Sequence, residues 1–251
     1  MKVDLVQVVW PFVNDNINSS DWHFKEAAIM VFGCLLQGPD PYFMADIVKS
    51  GTSILLGMVL SDPSVAVRDS AAWVLSQICA RFLQVIPSEL THPLLDCLVA
   101  ALDMQPRVAQ HAATALSAVC DGVANSPSSE LLQPYLEVLL NKLLDCAQRM
   151  GSASNQLRES AAYALMSLIA CAGPGSEELL VGFYQFVLQQ SENVLAGQAP
   201  GSDMEQAFLL QRFYCIALVA LLERLKNLMK IEVDRIATLA LRVGEKAESE
   251  A

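Results

Sequence analysis

Apolar residues recur along this chain at the spacing of helices that bury one face. They return every three or four residues through most of the sequence, and the β-branched residues form no sustained alternating run. Brief polar stretches interrupt the pattern, as helix ends do. The chain is therefore predicted to be all-α. The five interruptions inside helix pairs are Ser20-Asp21, Asp62-Pro63, Gln105-Pro106, Ser152 to Asn155, and Ser202-Asp203.

A repeated sequence marks the second helix of each predicted pair. Its copies begin FKEAAIMVFGCLL, VRDSAAWVLSQIC, VAQHAATALSAVC and LRESAAYALMSLI, and a fifth, degenerate copy covers residues 208–222. The anchoring alanines Ala27, Ala71, Ala112 and Ala161 are 44, 41 and 49 residues apart. A repeat of this length built from helices is typical of an α-α superhelix of the HEAT or armadillo kind.

Short turns predict that the two helices of each pair are antiparallel. Each pair exposes apolar faces that only a neighbouring pair can cover, which predicts a solenoid. The sequence has no Ser/Gly-rich linker, so we expect one continuous body over 1–251, as an internal segment of a longer array. The predicted pairs are 3–17 with 22–37, 43–61 with 64–83, 90–104 with 106–124, 128–149 with 155–171, and 177–196 with 203–225, followed by an extra helix at 229–245.

The charge balance bears on the kind of partner. The chain has 27 acidic and 16 basic residues and a net charge of -11. Nucleic acid and anionic membranes would be repelled and a basic polypeptide attracted, although acidity also serves solubility alone. The longest uncharged run, 160–176, is broken by glycine and proline, so no membrane insertion is expected. The seven cysteines lack CxxC spacing and are predicted to be reduced core residues, typical of the cytosol or nucleus.

No pattern of catalytic or cofactor-binding residues is present in the sequence. His23, His92 and His111 are far apart and have no metal-ligand spacing. The chain contains no P-loop, nucleophile elbow or dinucleotide fingerprint. We therefore expect no enzyme, no cofactor and no metal. Asp62 is predicted to cap the helix that follows, with Pro63 at its first position.

Short segments of the sequence resemble the HEAT repeat in general and one family of HEAT-repeat proteins in particular. Residues 62–73, DPSVAVRDSAAW, resemble the HEAT signature, whose Asp and Arg commonly form a ladder between repeats; here that ladder is expected to be incomplete. Residues 9–120 resemble importin-β through Pro11-Phe12, Asp21-Trp22, Phe32-Gly33-Cys34, Gly38 to Pro41, Ala71 to Trp73 and Pro106 to Ala109. The resemblance implies a nuclear import receptor in cytoplasm, nucleus and nuclear pore, which in full length binds Ran-GTP and Phe-Gly nucleoporins.

The helical wheel of the second copy separates Trp73 from its apolar stripe. Asp69 and Gln77 share the face of Trp73, so an indole lies beside a carboxylate. From periodicity alone, packing of Trp73 against a flanking helix is favoured. The resemblance instead implies that Trp73 holds the basic importin-β-binding helix of importin-α, or basic cargo, on a concave acidic face.

The repeat register extends this candidate site to other helices. Ile29, Thr114 and Tyr163 align with Trp73, and Thr114 replaces a second family tryptophan. Glu159 aligns with Asp69, and Asp121 falls on the same face as Thr114. For any single carboxylate, simple solvation remains the favoured interpretation. The predicted partner-binding residues are Asp69, Trp73, Gln77, Asp121, Glu159 and Tyr163.

Two other functions remain open from the sequence. One is a structural HEAT scaffold, comparable to a phosphatase regulatory subunit, whose loops hold other proteins. The other is an importin-β relative that carries its cargo directly.

Overall fold

The secondary structure consists of helices throughout the described residues. The computed structural model describes residues 2–38, 42–124, 129–197 and 204–225, together with Thr238, Leu241 and Arg242. These residues contain ten α-helices and no strand, which confirms the all-α prediction. The helices are α1 (Lys2–Asn16), α2 (Trp22–Leu35), α3 (Ala45–Ser61), α4 (Val65–Phe82), α5 (Ser88–Ala101), α6 (Pro106–Ala124), α7 (Leu136–Gln148), α8 (Asn155–Cys171), α9 (Glu177–Leu195) and α10 (Met204–Leu225).

The chain divides into two compact units, residues 1–126 and 127–251. The first unit contains α1 to α6, and the second contains α7 to α10. The extra helix predicted at 229–245 falls almost entirely outside the described residues. That the whole chain forms one continuous solenoid remains a prediction.

Within each unit the helices pack as the repeat predicts. The pairs α1 with α2, α3 with α4 and α5 with α6 form the first unit, and α7 with α8 and α9 with α10 form the second. The second helices also pack on one another, α4 between α2 and α6 in the first unit and α8 against α10 in the other. We call α2, α4 and α6 the second-helix layer of the first unit.

Two predicted helix starts differ from the structure. The predicted helix 128–149 is a 3-10 helix over Ser129–Tyr135 followed by α7 at Leu136. Pro134 lies in that 3-10 stretch, and proline disrupts an α-helix interior because it lacks an N–H and clashes with the preceding turn. The N-cap of α4 is Ser64 rather than Asp62, which ends α3 and accepts a hydrogen bond from the Ser64 amide at 2.9 Å.

Close approach of α2 and α4 depends on Gly33. A Cβ at this position would lie 2.8 Å from both the Trp73 Cη2 and the Val74 Cγ2 atoms, closer than van der Waals contact allows. The indole of Trp73 therefore covers the glycine and is half-buried. Since Val74 is fully buried, it has no free space to move into.

Alanine at Gly33 is expected to destabilise the first unit. Overpacking of a tight contact typically costs about 1–3 kcal/mol, and we expect Gly33→Ala to lower the free energy of unfolding by that amount. Chemical denaturation monitored by circular dichroism measures it.

Gly57 provides the matched control. It lies in α3 with open space around its would-be Cβ. Gly57→Ala is expected to stabilise the protein by about 0.5–1 kcal/mol, because alanine loses less backbone entropy in a helix. Equal effects at the two glycines would contradict the packing described here.

The cysteines are free thiols, and most of them are buried. Cys79, Cys97, Cys120, Cys146 and Cys171 are buried, Cys215 is half-buried, and Cys34 is exposed on α2. The prediction of core positions is therefore correct for five of them, only partly correct for Cys215, and wrong for the exposed Cys34. Burial raises the pKa of the Cys79 and Cys97 thiols to about 12.

The exposed and buried cysteines should differ in their rate of alkylation. At about pH 8 a thiol of such high pKa holds almost no thiolate, which is the nucleophilic form. We expect iodoacetamide to modify Cys34 in the folded protein long before Cys79 or Cys97, as read by peptide mass spectrometry. Guanidinium-unfolded protein, in which all seven react, is the control. Equal rates at Cys34 and Cys79 in the native state would contradict the burial.

Candidate partner-binding surface

The strip on α4, formed by Asp69, Trp73 and Gln77, lies on one face of the helix, but its tryptophan is half-buried. Asp69, Trp73 and Gln77 are spaced four residues apart on one face of α4, and all three are partly exposed. One edge of the indole packs over Gly33 of α2. Packing against a flanking helix, the interpretation favoured by periodicity, is therefore correct for that edge, and the rest of the ring remains accessible.

Asp69 is engaged within the chain. Its Oδ2 lies 2.9 Å from Arg107 Nη2, and its Oδ1 lies 3.4 Å from His111 Nε2, both on α6. The Asp69 side chain is only 15% exposed, whereas that of Arg107 is 75% exposed. This ion pair links two second helices and partly neutralises the carboxylate that the sequence assigned to a basic partner.

The remaining first-unit positions differ in exposure. Ile29 is fully buried, although it aligns with Trp73. Thr114 is exposed, and its hydroxyl donates to the Gln110 carbonyl at 3.0 Å. Asp121, seven residues beyond Thr114, is exposed on α6. Trp73, Thr114 and Asp121 therefore lie at the surface, whereas Ile29 lies in the core.

In the second unit, Glu159 and Tyr163 border a cavity between α8 and α10. The cavity has a volume of about 260 Å³ and is also lined by Glu205, Leu209 and Phe213. Tyr163 is 61% exposed. Glu159 Oε1 lies 3.3 Å from Arg212 Nη1 of α10, and both side chains are more than half exposed. Glu159 therefore repeats what Asp69 does, since each pairs with an arginine of the next second helix.

The arginines that hold these carboxylates were missed by sequence reasoning. Arg107 is the second residue of α6, and Arg212 lies in α10. The second helix before each of them carries an acidic residue at the same repeat position, Asp69 on α4 and Glu159 on α8. A search for opposite charges between successive copies would have found them. Lys25 and Asp62 form a further pair at 2.7 Å, in which Asp62 is nearly buried.

The sequence predicts that the Asp–Arg ladder between repeats is incomplete, and the contacts of Asp62, Arg68 and Arg158 bear on that prediction. Arg68 Nε is buried without a hydrogen-bond partner, and Asp62 forms its ion pair with Lys25. Arg158 is buried and donates to the carbonyls of Ala147 at 2.7 Å and Arg149 at 3.0 Å. It therefore caps the C-terminal end of α7, where a cation is favoured. Burial lowers the pKa of Arg158 from its ordinary value.

Other kinds of site have no support in the described part of the chain. Among those residues, no three His, Cys, Asp or Glu side chains are grouped so as to hold a metal ion. Across the same ranges, none of the helices has the length and apolar character needed to span a bilayer.

Comparison with known proteins assigns the chain to a family. The family model for importin subunit beta-1-like TPR repeats matches residues 93–251, more than half of the chain, and a HEAT-like repeat model matches residues 22–78. Importin subunit beta-1 of Arabidopsis thaliana is 27% identical over 253 residues, which cover 96% of this chain. The chain spans 29% of that relative's length.

Solved structures show the same arrangement of helices. The Kap95:Nup1 complex superimposes with a TM-score of 0.85 at 22% identity, covering 97% of this chain and 28% of the other. Kap95p bound to RanGDP gives a TM-score of 0.84 at 23% identity, covering 96% and 29%. At this identity the likeness concerns the fold alone. With the match of the family model to residues 93–251, the chain belongs to the importin subunit beta-1-like family of HEAT-repeat proteins.

Proposed function

We propose that this chain serves nuclear import by binding a basic helix, such as the N-terminal helix of importin-α or a basic cargo segment, on its second-helix layer. The observation that carries the proposal is the strip on α4, where the accessible edge of Trp73 lies beside the carboxylate of Asp69 and the amide of Gln77. A Lys or Arg side chain fits such a strip through cation–π contact and a charge-assisted hydrogen bond.

The internal ion pair of Asp69 is compatible with this role. The guanidinium of Arg107 is 75% exposed although Asp69 is only 15% exposed, so a partner's cation can take the place of Arg107 from the solvent side. The displaced guanidinium then returns to water, while Asp69 keeps a cationic neighbour. We infer that Arg107 occupies the place of the partner's cation until the partner binds.

The second unit offers a similar set of residues on its own second helices. Tyr163 offers an exposed ring beside Glu159, and Arg212 shields that carboxylate as Arg107 shields Asp69. Asp121 adds negative charge on α6 in the first unit. All of these contacts depend on opposed charge, so binding should weaken as salt rises.

The wider role is proposed from the relatives. One relative is described in complex with Nup1 and one with RanGDP. We propose that the full-length receptor of this chain likewise binds Phe-Gly nucleoporins and is unloaded by Ran-GTP, moving between cytoplasm and nucleus through the pore. Membership of the importin subunit beta-1-like family favours transport over a phosphatase-type scaffold.

Substitutions at Trp73 and Thr114 test the proposed surface by a loss and by a gain of affinity. With a synthetic peptide of importin-α's basic helix, Trp73→Ala should weaken binding roughly tenfold, the value of one cation–π contact with its packing. Thr114→Trp should strengthen binding, because it adds a ring at the register position of Trp73. Fluorescence anisotropy at two salt concentrations measures both.

Misfolding cannot raise the affinity, so Thr114→Trp is a stronger test than Trp73→Ala. In the repeat register, Gln77 of α4 neighbours position 114 in the way that Gly33 of α2 neighbours Trp73. We therefore expect a tryptophan at position 114 to be more exposed than Trp73. Val138→Trp, at an exposed position on the first helix α7, is the matched control and should leave affinity unchanged. If neither Trp73→Ala nor Thr114→Trp changes the affinity, the assigned surface is wrong.

Removal of Arg107 tests the displacement step. Arg107→Gln should tighten binding of the same peptide about two- to fivefold, because the guanidinium of Arg107 no longer competes for Asp69. In the Asp69→Asn background the same substitution should have little effect, as measured by a double-mutant cycle. Weaker binding by Arg107→Gln alone would contradict the proposal.

A further inference from the structure

The cavity between α8 and α10 has a buried cation at its inner end. Its volume is about 260 Å³, larger than the roughly 150 Å³ that holds a benzene molecule in an engineered protein cavity. Arg158 lines it and is 4% exposed. We call this buried end the base, and the end lined by the exposed Glu159, Tyr163 and Glu205 the mouth. A group that enters at the mouth therefore approaches a positive charge.

Arg158 has no acidic partner among the described residues. Its Nε donates to the Ala147 carbonyl, and its Nη2 donates to the Arg149 carbonyl and to Gln206 Oε1 at 3.2 Å. All of these acceptors are neutral. The C-terminal end of α7 supplies about half an elementary charge, so part of the guanidinium charge stays uncompensated. The lowered pKa of Arg158 agrees with this, because burial removes water from the guanidinium.

The third nitrogen of this guanidinium has a donor to spare. Nη1 carries two N–H groups, and its hydrogen bond to Asn155 Oδ1 is 3.5 Å long, beyond the usual range of roughly 2.7–3.2 Å. Asn155 also lines the cavity, so we infer that Nη1 lies on the cavity side of Arg158. A carboxylate in the cavity can therefore accept from Nη1 while Nε and Nη2 keep their carbonyls.

The walls of the cavity are apolar. They consist of the buried Ala162 and Phe213 and the half-buried Leu209 and Ile216. Such walls favour an aliphatic or aromatic group, whereas a small inorganic anion would lose its hydration against them. The anion that fits is therefore a carboxylate carried on an apolar residue.

The two glutamates at the mouth do not exclude such a ligand. Glu159 forms its ion pair with Arg212 at 3.3 Å, and both Glu159 and Glu205 are exposed. Solvent therefore screens their charge, whereas Arg158 acts from a desolvated position. They disfavour a second negative charge on the ligand close to the first.

We propose that this cavity binds a carboxylate carried on an apolar residue, as the C-terminal leucine or phenylalanine of a peptide chain provides. The carboxylate accepts a hydrogen bond from Arg158 Nη1, and the apolar side chain packs on Leu209, Phe213 and Ile216. Capture of a chain end in this way differs from recognition of a basic helix. The inference does not depend on the proposed role of Trp73, which lies in the other unit.

A short synthetic peptide serves as the probe. It carries fluorescein at its N-terminus, neutral glycine and serine residues, and a C-terminal phenylalanine with a free carboxylate, and anisotropy reports its binding to the full chain. Amidation of the C-terminus should weaken binding about tenfold or more, because it removes the charge that Arg158 recognises. Glycine in place of the phenylalanine should weaken binding to a similar degree, since the apolar walls lose their partner.

Unlabelled N-acetylphenylalanine distinguishes two sources of such a carboxylate. Displacement of the probe at the concentration that the unlabelled peptide requires would assign the site to a small carboxylic acid. Displacement only at about tenfold higher concentration would assign it to a chain end, because the residues before the last then contribute to affinity. Both results support the carboxylate chemistry proposed for Arg158.

Asn155→Asp is the decisive variant, because it supplies the missing counter-charge from within the chain. The new carboxylate would lie beside Arg158 Nη1, and the helix dipole favours an acid at the first residue of α8. Peptide binding should weaken about tenfold or more while the melting temperature is unchanged or raised. Gln156→Glu, which adds the same charge at an exposed position of the mouth, is the matched control and should change affinity about twofold or less.

Leu209→Trp tests the walls, because it enlarges a half-buried side chain that lines the cavity. It should weaken peptide binding about fivefold or more. Leu222→Trp, at a half-buried leucine of the same helix outside the cavity, is the matched control and should bind normally.

Four results would overturn the proposal. These are no saturable binding of the probe, equal binding of its amide, unchanged binding by Asn155→Asp, and equal losses in Asn155→Asp and Gln156→Glu. Trp73→Ala should bind the probe normally, and loss of binding there would place the ligand on the other unit. Because the probe is neutral before its last residue, failure of the basic peptide under "Proposed function" leaves these outcomes unaffected.

Discussion

The structure depends on how closely its second helices can approach one another. Small residues at the repeated positions make this possible. Ala71, Ala112 and Ala161 are completely buried, and Gly33 brings the backbone of α2 into contact with Trp73. Because no helix pair can cover its own apolar faces, these contacts between successive pairs supply the hydrophobic core within each unit. A larger side chain at any of them would separate two helices and expose apolar surface along their length.

The same close approach determines the electrostatics of the candidate surface. Neighbouring second helices are near enough for Asp69 to reach Arg107 and for Glu159 to reach Arg212. These carboxylates therefore have two uses, as links between repeats and as contacts for a basic partner. The uses are compatible because each arginine is more than half exposed and can return to water when a partner's cation replaces it. A buried pair such as Lys25 with Asp62 would cost far more to open and is suited only to the structural use.

The sequence by itself determined the helices, their pairing and the family. Helical periodicity and the recurring alanines are local properties, so α6 and α8 begin and end where the pattern predicts, whereas Pro134 shortens α7 because a single residue overrides the surrounding pattern. The sequence also placed Asp69, Trp73 and Gln77 on one face, since that requires only the helical repeat.

Only the tertiary structure decided how available those residues are. The burial of one edge of Trp73 by Gly33, the engagement of Asp69 by Arg107, and the complete burial of Ile29 arise between helices more than 30 residues apart. Periodicity within one helix carries no information about the distance to the next, and that distance decides which side chains a partner can reach.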